Sequence, residues 1–195
     1  MNIIMIRNRI KKFREYSDLT DLGALSRRYF IIGTFDGALT ILALIIGAYA
    51  SSASGDLIFA AGLAMGIGLG VSSFFGAYES ERIERRIELK KLERQMLTKM
   101  KGTIHEDATK FAILWSSFVH GISPMIASWI PIIPFLFLDV KSAMFTAVII
   151  AFLILFITGM YLGRTGKKGM ITYGLRFLFI GVITAVFIAF ISALH

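Results

Sequence analysis

The sequence predicts an all-α polytopic membrane protein with five transmembrane helices and a cytoplasmic helical extension between the second and the third. Three observations predict it. Hydrophobic residues make up 56% of the 195-residue chain, and its mean hydropathy is +0.72, well above that of a soluble domain. The apolar residues gather into five runs, at about 29–50, 57–78, 111–137, 142–162 and 171–193, each close to the roughly 20 residues that cross a bilayer. Of the 21 Lys and Arg residues, all but Lys141 fall on one side of the alternating spans.

By the positive-inside rule, that side is the cytoplasm, with the N-terminus inside and His195 outside. The formal net charge of +8 is then a topology signal, and no basic face is left over to suggest a nucleic-acid partner. The chain holds no cysteine, so disulfides, thiolate metal sites and cysteine redox chemistry are excluded. No cleavable signal peptide is expected, since the first apolar run has spanning length. Lacking an organellar targeting segment, a chain of this size points to a prokaryotic plasma membrane.

Four stretches follow along the chain. Residues 1–28 form a cytoplasmic segment whose start, "MNIIMIRNRIKKFREY", mixes Ile and Met with five basic residues and suits an amphipathic anchor on the inner leaflet. Residues 29–78 hold helices one and two. The turn "ASSASGD" between them is short enough for an antiparallel hairpin. Helix one carries Asp36, roughly 12 Å inside Arg28 at 1.5 Å per residue. Helix two carries Gly62, Gly66 and Gly70 at spacing four, with Ala60, Ala64 and Gly68 as a second row, and such rows let another backbone approach closely. Its level with Asp36 is near Gly70, Ser72 and Ser73.

Residues 79–110 lack Gly and Pro before Gly102, so helix two is expected to continue to a turn at Lys101-Gly102. Glu81, Glu84 and Glu88 share a face, and Glu93, Met96 and Met100 repeat the spacing. A solvated helix laced by Glu81–Arg85 and Glu88–Lys91 pairs is the plain account of this segment. Residues 111–195 hold helices three to five. Pro124, Pro131 and Pro134 in helix three free the carbonyls of His120, Ala127 and Ile130, which must find other partners in hydrocarbon. His120 is itself a second intramembrane polar group, and such a histidine ordinarily bonds a neighbouring helix.

"RRYFIIGTFDGALTILALIIGAYAS" followed by "AAGLAMGIGLGVSSFFGAYESERIE" resembles the opening hairpin of the vacuolar iron transporter (VIT) family. "PIIPFLFL" and "GLRFLFIGVITA" fit the family's third and fifth helices. The resemblance implies a five-helix homodimer that exports Fe²⁺, and often Mn²⁺, from the cytosol in exchange for protons. It puts Asp36 on the ion path and an ion-gathering role on the extension, among Glu81, Glu84, Glu88, Met96 and Met100. The chain departs from the pattern at Ser73, where the family commonly has Met, and at Met65, where Glu is frequent.

A buried, ionised carboxylate must be neutral, paired or bound to a cation. In one reading, Asp36 pairs with Arg176 at similar depth on helix five and only holds the bundle together. In another it alternately takes a metal ion and a proton, with Ser73 and Met65 completing a mostly oxygen site suited to Mn²⁺ or hydrated Fe²⁺. A third class is a non-transporting membrane adaptor whose cytoplasmic helix recruits a partner. No GxxxxGK[ST] loop and no nucleophile–base pattern occurs, so neither ATP-driven pumping nor an enzyme is expected. The expectation is proton-coupled export of a divalent transition metal, without a resident cofactor.

Overall fold

The computed structural model describes residues 15–99, 102–166 and 169–194. Most of the expected N-terminal anchor (residues 1–14), Met100 and His195 lie outside that range. Five long helices follow a short helical stretch at 15–20: α1 Leu22–Ala50, α2 Gly55–Met96, α3 Ile104–Ile132, α4 Val140–Thr165 and α5 Met170–Ser192. All five are long and apolar enough to cross a membrane. Below, the basic end is the one holding Arg27, Arg28 and the tail of α2.

Helix boundaries follow local chemistry. Asp21, in the left-handed conformation at φ 49, separates the 15–20 stretch from α1. The Ser54 hydroxyl starts α2 by accepting the Leu57 N–H at 3.3 Å, which satisfies an otherwise orphan donor. α2 then runs unbroken for 42 residues, about 63 Å at 1.5 Å per residue. It ends at Met96, short of the expected turn at Lys101-Gly102. Leu97 takes a left-handed conformation, and the Glu93 carbonyl accepts the N–H groups of both Leu97 and Thr98, a closure that stops helices. At the start of α4 the Asp139 carboxylate accepts the Ser142 N–H at 3.1 Å, which holds that carboxyl below its ordinary range. The cap is therefore in place at neutral pH and lost as pH falls through the lowered value.

The packing order departs from the chain order. α1 and α2, joined by four residues, meet each other directly over a smaller surface than either shares with α3, so the expected α1–α2 hairpin carries α3 seated along both its helices, with α4 and α5 packed behind α1. The glycine row of α2 is what admits α3: a Cβ at Gly62 would strike Ile132, one at Gly66 the indole of Trp129, and one at Gly70 Met125 and the Gly121 carbonyl. Trp129 Nε1 also donates to the Leu63 carbonyl at 3.3 Å. On the other side, Gly33 and Gly37 of α1 lie against Ser123 and Pro124. Lipid offers no hydrophobic reward for helix association, so such close van der Waals contact is what holds the helices together.

The apolar centre lies toward the end away from the basic side chains, where Ile41, Ile45, Ile58 and Ile132 meet Ala143 and Ala147. In α3 the Pro134-freed carbonyl of Ile130 does not stay open: the Ile133 N–H closes on it as the chain tightens into a 3-10 turn, Ile133–Leu136. Ser116 and Ser117 turn their hydroxyls back onto α3 carbonyls of the preceding turn, and α5 lies outermost, burying only Gly174 and Gly181.

Candidate functional site

The basic end of the bundle is built around Glu81, a buried carboxylate on α2. The Tyr29 hydroxyl donates to its Oε1 at 2.8 Å. Arg28 Nη2 lies 3.4 Å from the same oxygen and Arg85 Nε 3.4 Å from Oε2. Arg85 reaches further, to Glu88 Oε2 at 3.1 Å and to the Thr20 carbonyl at 3.2 Å, so one guanidinium ties the α2 extension to the segment before α1. The expected Glu81–Arg85 pair is present; Glu88, however, pairs with Arg85 rather than Lys91, because Arg85 is already fixed against it by Glu81. Sequence reasoning missed Tyr29. Its signal was a phenol placed directly after Arg27-Arg28, where the apolar run begins.

Glu81 is thus committed to protein partners within this chain. Replacing it by Gln is expected to lower stability by about 2 kcal/mol, since hydrogen bonds to charged groups are worth roughly 1.5–3 kcal/mol each. Exposed Glu88→Gln should stay within about 0.5 kcal/mol of the parent. Thermal unfolding of the purified protein measures both, and an unchanged Glu81→Gln midpoint would deny the network any role in the fold.

His120 of α3 adjoins this cluster. Its ring lies 4.8 Å from that of Tyr29, and Nδ1 is 3.2 Å from the Tyr29 carbonyl. A carbonyl can only accept, so Nδ1 is the donor in this contact. Seven residues beyond Tyr29, or about 10 Å along the helix, stands Asp36. Its side chain is exposed on the surface of this single chain. Among the described residues its carboxylate has no ion pair, and the titratable group with which it interacts electrostatically is His120. No bridge joins it to Arg176. Phe35 and Phe177 touch at 4.7 Å, so the two residues are at matching depth, but the Arg176 guanidinium lies over its own helix's Tyr173, 5.1 Å from the ring centre.

The Tyr29–Glu81 contact sets the register between α1 and α2. Counting seven residues from each brings Asp36 level with Phe74 and its neighbour Ser73, which is half-buried. Met65 is not at that level. It packs against the Ile41–Ile45 cluster, about 13 Å deeper by the same count. On the extension, Glu84 and Glu88 are exposed and Met96 ends the helix, about 22 Å from Glu81. Among the described residues no three His, Asp or Glu side chains converge into a metal-holding group. One chain therefore supplies separate elements: a carboxylate in the membrane, an adjacent imidazole, and a charged helix beyond them.

The model of the VIT family matches residues 27–106 and 95–193, which covers both the Asp36 region and the Glu81 cluster. The chain belongs to the VIT family. A relative from Methanocaldococcus jannaschii, described as uncharacterized protein MJ0645, is 34% identical over 158 residues, 79% of this chain and 82% of its own length. As a VIT family protein the chain is an integral membrane protein of the metal-ion transporter class, and members of that class are transporters rather than enzymes.

Proposed function

We propose that this VIT family protein exports a divalent transition metal from the cytoplasm, Fe²⁺ first and Mn²⁺ second, in exchange for protons. The observation that carries the reading is Asp36: an acid on a spanning helix, without an ion pair among the described residues, that interacts electrostatically with the imidazole of His120. Intramembrane acids of this kind mark ion or proton paths. A carboxylate that holds a proton cannot hold a metal ion at full affinity, and this exclusivity is a sufficient basis for antiport. Carboxylate and hydroxyl oxygens suit Mn²⁺ and hydrated Fe²⁺, and Ser73 at the level of Asp36 offers the hydroxyl. The alternative, a membrane adaptor working through its extension, leaves Asp36 without a purpose.

The protein works as a homodimer in this reading. Ala60, Ala64, Gly68, Ser72 and Gly76 form an exposed row along α2, and a Cβ added at Gly68 or Gly76 meets nothing within 4 Å. In lipid, such a row suits the close approach of another helix, here a second copy, which would roof the Asp36–Ser73 level and complete the ligand set. The α2 extension and the basic end face the cytoplasm, as the Lys and Arg distribution requires.

The test is metal uptake into proteoliposomes loaded with a pH-sensitive dye and offered Fe²⁺, Mn²⁺, Co²⁺ or Zn²⁺. Fe²⁺ entry accompanied by a rise in internal pH is the expected result. No cation movement under any proton gradient would end the proposal.

A further inference from the structure

Two cavities lie along the same outer seam between α2 and α3, on top of one another. The one at the basic end, about 500 Å³, is lined by Arg82, Arg85, Arg86 and Lys110 with Glu106 as its single acid, and by Tyr78 and Leu114. Arg85 is consumed by Glu81 and Glu88. Arg82 has only exposed Glu79 at 3.4 Å, Lys110 is largely exposed and pairs with Glu106 at 2.8 Å, and no ion pair involves Arg86 among the described residues. The second cavity, about 370 Å³, continues deeper into the spanning region and is wholly greasy, between Phe74, Phe118, Ile122, Met125 and Trp129. The stacked rings of Phe74 and Tyr78, 6.3 Å apart, bridge the two.

We propose that this seam holds one anionic phospholipid, its phosphate on Arg82, Arg86 and Lys110 and an acyl chain lying in the Phe118–Ile122–Met125 groove. Guanidinium groups match phosphate oxygens in fork geometry, and basic clefts between spanning helices at the cytoplasmic surface are where charged headgroups settle. Tyr78 sits between charge and grease, the place an amphipathic ring takes at a membrane surface. From Leu114 to Met125 the groove runs about 16 Å, close to one leaflet's half of a roughly 30 Å hydrocarbon core. A free phosphate would use the cations and leave the groove empty, so the succession of a basic and a greasy cavity along one pair of helices selects a lipid. At this level the exposed row through Ser72 and Gly76 is about 120° around α2 from Tyr78 and Arg82, so a lipid here and a second copy there are compatible.

Native mass spectrometry of the purified protein with equimolar phosphatidylglycerol and phosphatidylcholine tests this. The parent should retain phosphatidylglycerol about tenfold over phosphatidylcholine, as expected for an electrostatically selected headgroup. The exposed triple variant Arg82→Gln/Arg86→Gln/Lys110→Gln should lose that preference while unfolding at the parent's temperature. Ile122→Trp, which fills the groove, should reduce retention with every charge intact. Millimolar inorganic phosphate should not displace the lipid. Equal retention of both lipids by the parent, an unchanged preference in the triple variant, or full displacement by phosphate would overturn the proposal. So would ready disulfide trapping between two copies carrying Ile122→Cys, since the chain is otherwise free of cysteine and a second protomer would then occupy the seam.

Discussion

Asp36→Asn is expected to cut metal flux in proteoliposomes by about 10- to 100-fold and to leave the protein folded and dimeric. The magnitude follows from deleting one charged contact worth roughly 1.5–3 kcal/mol, with each 1.36 kcal/mol a factor of ten in rate. The fold should survive because the side chain is exposed on the protomer and its carboxylate takes no hydrogen bond or ion pair among the described residues. Asparagine keeps the size and an oxygen donor but cannot alternate between proton and cation, so residual flux should lose its dependence on the pH gradient. The same variant separates the three readings of this residue. Undiminished flux would remove Asp36 from the ion path and favour an adaptor. Collapse of the protein would restore a structural pair, although no ion pair joins Asp36 to Arg176, whose guanidinium lies over Tyr173.

The spans were legible because bilayer thickness fixes the length of an apolar run, and the continuation of α2 past residue 78 because neither Gly nor Pro interrupts it there. Packing partners were not legible in the same way. A four-residue connection says that α1 and α2 are neighbours along the chain, and a row of glycines says that something comes close; neither says that the visitor is α3, bringing Ile132, Trp129 and Met125. Depth could be counted, and the Phe35–Phe177 contact agrees with the counted level of Asp36 and Arg176. The direction in which each side chain turns depends on the azimuth of two helices, which no count along one chain supplies. Glu81 illustrates the same limit. Its spacing placed it on a charged stripe with Glu84 and Glu88, but its burial depends on Tyr29 and Arg28, more than 50 positions away along the chain.

The glycine beside Asp36 carries the largest expected effect on the fold. A Cβ at Gly37 would stand 2.5 Å from the Pro124 carbonyl oxygen and 2.7 Å from its Cα, both backbone atoms of a helix wedged between two others. A side chain could rotate away; this backbone cannot, so α1 and α3 must separate. Gly37→Ala should therefore destabilise the protein by about 3 kcal/mol, the upper part of the usual range for overpacking, or roughly 6–12 °C in apparent Tm for a chain of this size. Gly47→Ala on the same helix is the matched control. Both substitutions bring the same gain in helix propensity, up to about 1 kcal/mol over glycine, but a Cβ at Gly47 would meet only Ile188 Cγ2, at an ordinary 3.9 Å, so unfolding should be unchanged or slightly delayed. Thermal unfolding of the two purified variants reads the difference. Because Gly37 adjoins Asp36, a shift of about 1 Å in α1 also moves the carboxylate, and misplacements of that size cost on the order of 100-fold where geometry governs a rate. Gly37→Ala should lose flux together with stability, whereas Asp36→Asn loses flux alone. A Gly37→Ala protein as stable as the parent would mean that α1 and α3 do not meet at Pro124, and the position assigned to Asp36 would fall with that contact.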